Sequence, residues 1–297
     1  MVAGSRRRHR VSAAPRADQA NGARSVAGRP PVLGIDAPEV VDALERNQWE
    51  FIRGFAVVPG VEVVDDDRCL RVATGVPSPL FNPVLRATVP QDEVTGLVDE
   101  AREWYRARRL PWSWYAGPAS GPGAVVPELE RRGFAKVTEP PGMATGLSNV
   151  DALDPGLRIT VARVADRRMV DDWFGVFAPA FELSRAAASA FRDLVVAGGY
   201  GDSAPMRNFV AYVGSDAVAT GSLVPAAGVG GIYNIATRAD RRGRGIGRAI
   251  TWSLMREARD LGYRVAVLWS TAAGLPVYRR LGFQERVRVP TYLGPGS

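Results

Sequence analysis

The run Arg242-Gly243-Arg244-Gly245-Ile246-Gly247 stands between an apolar, strand-like stretch at 231–237 and an amphipathic, helix-like one at 248–261. In the second stretch Ile250, Leu254, Ala258 and Leu261 recur at helical spacing and fall on one face. Gly262 suits the helix C-cap. Residues 264–269, Arg-Val-Ala-Val-Leu-Trp, then make a near-continuous apolar run, the mark of a strand buried on both faces. The unit 231–269 therefore reads as strand, glycine loop, helix, parallel strand, and it commits the chain to an α/β design. Glycines at 243, 245 and 247 carry no Cβ, so successive backbone N–H groups can converge at a helix N-terminus. That geometry binds a phosphate or pyrophosphate.

Which phosphate is narrowed by what the chain lacks. A nucleotide-triphosphate loop needs Gly-Lys-Ser/Thr, and the only lysine is Lys136. The dinucleotide fingerprint needs a glycine at the sixth place. Counted from Gly243 that place holds Arg248, and from Gly245 it holds Ile250. The only histidine is His9 and the only cysteine Cys69, which removes His-based nucleophile pairs, zinc sites of the usual type and intrachain disulfides. The formal charge of +7 is mostly local: residues 1–34 hold seven arginines and Asp18. That segment reads as a disordered basic tail, so nucleic-acid binding is not expected. The chain has no apolar run long enough to span a membrane, and a cytoplasmic protein is expected.

The rest of the chain divides near a polar, Pro-containing stretch at 148–155. Before it, helices are predicted at 38–55, 92–107 and 127–132, and strands at 61–64, 69–73, 84–89 and 112–115, with another opening at 133–134. After it come a strand at 157–164, helices at 167–178 and 184–197, and strands at 208–213 and 217–224. The halves echo each other. Trp114, Leu129 and Gly133-Phe134 recur as Trp269, Tyr278 and Gly282-Phe283, and Arg86-Ala87-Thr88 recurs as Ile235-Ala236-Thr237. An internal repeat is expected.

Two motifs resemble the GNAT superfamily of acyl-CoA-dependent N-acyltransferases. Arg242-x-x-Gly245-x-Gly247 is similar to its acyl-CoA loop, and Tyr278-Arg-Arg-Leu-Gly282-Phe283 to its Tyr-x-x-x-Gly-Phe element. The resemblance covers 157–293. It implies two tandem GNAT-like mixed-sheet domains of α/β (α+β) class: a degenerate one at 35–150 and an acyl-CoA-binding one at 151–297. It implies acetyl-CoA as co-substrate, no metal, and transfer of an acetyl group to a primary amine by direct attack. Tyr278 would be the general acid. Ile235, Ala236 and Thr237 would meet the pantetheine arm. Arg242, Gly243, Arg244, Gly245, Ile246, Gly247 and Arg248 would hold the pyrophosphate, and Thr271 stands where many relatives have a cofactor-contacting asparagine. The partner would be a small-molecule or peptide amine, with a homodimer left open. A non-catalytic acyl-CoA-binding module is the alternative, and a mycothiol synthase-like acetyltransferase a lesser one.

Two departures stand out. Gly231 occupies the place where many relatives carry a glutamate base, and no carboxylate lies between 228 and 237. Glu182, after Phe174, Phe177 and Phe181, is the nearest candidate, its plainer reading being a solvated helix-end charge. In the first half the loop reads Val89-Pro90-Gln91-Asp92-Glu93, with no glycine and two acids, and Leu129 takes the place of Tyr278. That half is expected to bind no acyl-CoA and to shape the acceptor cleft.

Overall fold

The computed structural model describes residues 33–157, 159–202, 204 and 206–294, so the basic tail lies outside the described residues except for its last two. The chain runs α1 (Glu39–Arg53), β1 (Glu62–Asp65), β2 (Cys69–Ala73), β3 (Pro83–Ala87), α2 (Val94–Arg108), β4 (Ser113–Tyr115), α3 (Pro122–Arg131), β5 (Ala135–Thr138) and β6 (Pro141–Gly146). It continues with β7 (Thr160–Arg163), α4 (Arg167–Ala180), α5 (Arg185–Gly198), β8 (Arg207–Val213), β9 (Asp216–Ala226) and β10 (Val229–Thr237). It ends with α6 (Ile246–Asp260), β11 (Val265–Trp269), α7 (Leu275–Arg280), β12 (Gln284–Arg288) and β13 (Thr291–Leu293). None of the described helices is long and apolar enough to cross a membrane. Helix α3 starts at Pro122, before the predicted start at 127, because Gly121 turns left-handed and Pro122 sits in the first turn. Pro127 lies inside that helix.

Two mixed sheets result. The first has the order β1-β2-β3-β4-β13-β5, and the second β12-β6-β11-β10-β9-β8-β7. Each sheet holds one strand from the other half. Strand β6 pairs antiparallel with both β11 and β12, and β13 pairs antiparallel with both β4 and β5. A cut at residue 150 therefore takes the second-to-last strand from each sheet. The exchanged strands are well held: Tyr292 is buried on β13 and its hydroxyl donates to Glu130 at 3.0 Å.

The halves also share a core. Phe51 and Ile52 of α1, Phe55 in the turn that follows it, and Leu70, Val72 and Leu85 of the first sheet pack in one cluster with Trp173, Phe177 and Phe191 of α4 and α5 and Val210 and Val224 of the second sheet. Apolar burial of this kind contributes about 25 cal/mol per Å², and here it welds the two halves together. The α4 and α5 starts are fixed locally, Asp166 accepting from the Met169 N–H and Ser184 from the Ala187 N–H.

Helix α1 carries a buried acid into this interface. Glu45 is 4% exposed, its carboxylate accepts the Ala119 N–H at 3.2 Å, and it fills the space that a side chain on Gly117 would need. Burial pushes its pKa up to about 7, opposed by the Ala119 bond and assisted by Asp42. A carboxyl raised on folding destabilises the native state increasingly as pH climbs from its unfolded value through the folded one. Glu45→Gln is therefore expected to gain on the wild type between pH 4.5 and 8, by up to about 3 kcal/mol. Urea unfolding at the two pH values checks this, and a gap independent of pH would contradict it.

Candidate active site

The glycine loop folds as its sequence dictates. Gly243 and Gly245 adopt φ of +74° and +79°, values that other residues rarely take. Gly245 is the N-cap of α6 and has no side chain to cap it, so the first amides of the helix face outward without a side-chain acceptor. Gly247 lies against Thr237, whose Oγ1 would sit 3.3 Å from an added Cβ. The loop thus packs directly on the end of β10. Arg242 braces it, its Nε donating to the Thr237 carbonyl at 3.1 Å. Arg244 is exposed, and the Nε of half-buried Arg248 has no hydrogen-bond partner among the described residues. An uncapped helix N-terminus, three arginines and an orphaned guanidinium nitrogen suit a multiply charged anion.

From the loop a path leads inward along β10. This strand pairs in parallel with β11 only at 230–232, so Tyr233–Thr237 and the chain beyond Trp269 diverge. A bulge between Tyr233 and Ala236 accompanies the divergence. Its centre, Asn234, has φ +55°, a conformation that asparagine tolerates better than most residues. The Asn234 amide donates to Ser222 Oγ at 3.0 Å, Ser222 donates to Asn208 at 2.6 Å, and Thr220 Oγ1 donates to the Asn234 carbonyl at 3.0 Å. The bulge is thus locked from behind by polar groups. The sequence signal for it is an asparagine within an apolar strand pattern.

The divergence opens into a cleft of about 590 Å³ between the halves. Ile235, Thr271 and Tyr278 line it, joined by Asn234, Trp269 and Leu275. Ala236 and Thr237 continue toward the loop, so the predicted residues form one track from Arg248 to Tyr278. Tyr278 is 8% exposed, and among the described residues its hydroxyl has no hydrogen-bond partner. Burial pushes its pKa up to about 12. Its ring lies on the backbone at Gly274, where an added Cβ would come within 2.7 Å of Cε2. Thr271 Oγ1 accepts the Gly274 N–H at 3.2 Å, setting the start of α7 and leaving its own hydrogen free to donate.

The first half supplies the opposite wall: Phe51 and Ile52 of α1, Phe81, Leu85 and Tyr115. The two crossover segments that feed the exchanged strands, around Glu139–Pro141 and Arg288–Thr291, close the mouth, with Arg288 donating to the Glu139 carbonyl at 3.3 Å. Glu182 does not belong here. It is exposed at the end of α4 with φ +53°, and its neighbour Phe181 lines the cleft instead.

Helix α1 also explains Gly231. Asn47, fully buried, donates from Nδ2 to the carbonyls of Val224 at 3.0 Å and Ala226 at 2.9 Å, pinning the β9–β10 turn. Its Oδ1 accepts the Tyr233 hydroxyl at 2.8 Å. A Cβ on Gly231 would stand 1.8 Å from that Oδ1 and 2.7 Å from the Tyr233 ring. The space a side chain at this strand position would need is occupied by a side chain from the other half.

Residues 169–283 match the profile of the Acetyltransferase (GNAT) family. Residues 169–283 are a GNAT acetyltransferase domain. The fold of the GNAT domain and its partner half is similar to that of a GCN5-related N-acetyltransferase from Kribbella flavida, at 19% identity and a TM-score of 0.68, covering 88% of this chain and 98% of that one. A tandem GNAT protein from the clavulanic acid biosynthesis pathway is similar over 89% of this chain and 98% of its own, at 14% identity and a TM-score of 0.55. A functionally unknown conserved protein from Staphylococcus epidermidis shares the fold at 12% identity and a TM-score of 0.62, over 80% of this chain and 94% of that one. No curated protein matches the sequence. In the first half, the residue matching Tyr278 is Leu129, buried in the core with Trp114 and Phe134.

Proposed function

We propose that the chain transfers an acetyl group from acetyl-CoA to a primary amine by direct attack in a ternary complex. The observation that carries this reading is the continuous track from the uncapped α6 N-terminus, along the divergent end of β10, to the buried phenol of Tyr278. Acetyl-CoA supplies a pyrophosphate, an amide-bearing arm and a thioester whose sulfur departs as thiolate. The amides at 243–248 and the guanidinium of Arg248 hold the pyrophosphate. The backbone groups of Ile235, Ala236 and Thr237 pair with the arm, and the Thr271 hydroxyl donates to it. Tyr278 keeps its proton at Oη and gives it to the sulfur. Burial raises the pKa of this phenol and, in the same apolar cleft, that of the departing thiol, so the two move in the same direction. The half at 35–150, with Asp92 and Glu93 where the loop would be, binds no acyl-CoA and completes the cleft. Under this reading the protein works in the cytoplasm.

Calorimetry with acetyl-CoA and release of the CoA thiol in the presence of amines test the proposal: one cofactor per chain and amine-dependent release are expected. The pH profile gives a second check. The amine must be neutral, and a Lys-type amine has a pKa near 10.4. Tyr278 stays protonated to about 12. The logarithm of kcat/KM is therefore expected to rise with unit slope from pH 6 to 9.5 and to show no falling limb there. A decline setting in near pH 8 would remove Tyr278 from the acid role.

A non-catalytic acyl-CoA-binding module is the second reading. The filled position at Gly231, which leaves β10 without a carboxylate, favours it. Amine-independent, equally slow release by the wild type and Tyr278→Phe would establish it.

A further inference from the structure

The wall of the cleft that faces Tyr278 says what kind of amine fits. Its deep part is built from Phe51, Ile52, Phe81 and Leu85, all buried, with Phe181 beside them. The polar groups of this wall and its crossover segments are uncharged apart from those at the rim: Gln48 and Tyr115 line the cleft, Thr291 is buried with a hydroxyl that has no hydrogen-bond partner among the described residues, and Thr138 and Glu139 are exposed. Among the described lining residues Glu139 is the one carboxylate and Arg288 the one cation, and both are already engaged. Glu139 is paired with Lys136 at 3.1 Å, and Arg288 with Glu285 at 2.7 Å. A polycation such as a polyamine or an aminosugar carries several ammonium groups that need carboxylates when desolvated. The deep part of this wall offers none, and Glu139 at the rim is already paired. It offers instead flat aromatic and branched aliphatic surface, which an aromatic ring covers well. Desolvation there also pushes an ammonium toward its neutral form, which is the form that attacks a thioester. This matters on a strand whose carboxylate position is filled by Asn47.

Building on the transferase reading, we infer that the acceptor is a monoamine carried on an aromatic or otherwise apolar body, seated between α1 and β3 of the first half with its nitrogen toward Tyr278. The first half is then the specificity element, and the second supplies the cofactor site.

The test uses the full chain with acetyl-CoA and four acceptors: phenethylamine, tryptamine, spermidine and kanamycin. Thiol release gives kcat/KM, and calorimetry gives binding of each amine without cofactor. The expected result is kcat/KM for the two aromatic monoamines about 100-fold above that for the two polycations, the discrimination an apolar pocket can reach. Leu80→Glu adds a carboxylate at the rim, where Leu80 is 40% exposed, and is expected to narrow that ratio several-fold without loss of fold. Preference for spermidine or kanamycin overturns the inference and leaves the transferase reading intact. So does octanoyl-CoA outcompeting acetyl-CoA, which would assign the apolar wall to the acyl chain. Binding of the monoamines in preference to the polycations with no thiol release overturns the transferase reading and leaves the cleft as a site for apolar monoamines. Failure of every amine to bind overturns the class.

Discussion

Tyr278→Phe is expected to lower kcat by about 10²–10⁴-fold, the range associated with losing a positioned general acid, while acetyl-CoA affinity and thermal stability stay near those of the wild type. The separation follows from the contacts. The ring does the packing: it lies on Gly274, meets Phe283 edge-on at 6.0 Å and belongs to the cluster around Leu281 and Ile250. Phenylalanine keeps all of that. The hydroxyl has no hydrogen-bond partner among the described residues, so its removal orphans no donor or acceptor of the fold. Single-turnover thiol release, calorimetry with acetyl-CoA and a melting curve on the same preparation resolve the three quantities. A kcat within tenfold of the wild type would leave Tyr278 as a wall of the cleft and nothing more. A large fall in acetyl-CoA affinity would assign the hydroxyl to binding.

The second half of the chain was readable because its signals are local. The strand at 231–237, the glycine loop, the helix with Ile250, Leu254 and Ala258 inward and the apolar strand ending at Trp269 all follow from periodicity and from glycine φ, and the structure has them at β10, α6 and β11. The track from Arg248 to Tyr278 joins residues that a motif names together. What was not readable is non-local. Strand β6, Pro141-Gly-Met-Ala-Thr-Gly146, has a proline, two glycines and little β-propensity. It is a strand because β11 and β12 pair with it from both sides. Gly142 there is needed for closeness, an added Cβ falling 2.9 Å from Trp269 and 2.8 Å from Val287. Strand β13 has three residues and no pattern to read. The exchange of these two strands, and with it the crossover segments that close the cleft mouth, is a property of the assembled sheets. The same holds for Asn47. In sequence it is one polar residue on an amphipathic helix. Only the turn of β9 and β10, brought to it from across the chain, turns it into a buried pin.

Placing a carboxylate on this strand is expected to harm the protein rather than help it. Gly231→Glu puts a Cβ 1.8 Å from Asn47 Oδ1 and 2.7 Å from the Tyr233 ring. Asn47, itself buried, cannot retreat without giving up the buried Val224 carbonyl and the partly buried Ala226 carbonyl and Tyr233 hydroxyl. Overpacking and a broken buried network add, so the expected loss exceeds about 3 kcal/mol, and turnover falls with it. Gly231→Ala isolates the steric part, and the pair Gly231→Ala with Asn47→Ala separates clash from pin. Asn47→Ala alone removes the amide from the Val224, Ala226 and Val229 carbonyls and the acceptor from the Tyr233 hydroxyl, at about 1–3 kcal/mol. The double variant is expected to be less destabilised than the sum of the two single ones, because the second change removes the atom that the first collides with. Urea unfolding of the four proteins gives the coupling. If Gly231→Glu instead folds as well as the wild type and speeds transfer, then Asn47 yields freely, and the strand lacks a base without being closed to one. If the loss and the coupling are found, a glutamate at this position is excluded by the side chain that the first half inserts there. Proton removal then falls to the acceptor and its surroundings, which is the chemistry an apolar wall and a neutral amine provide.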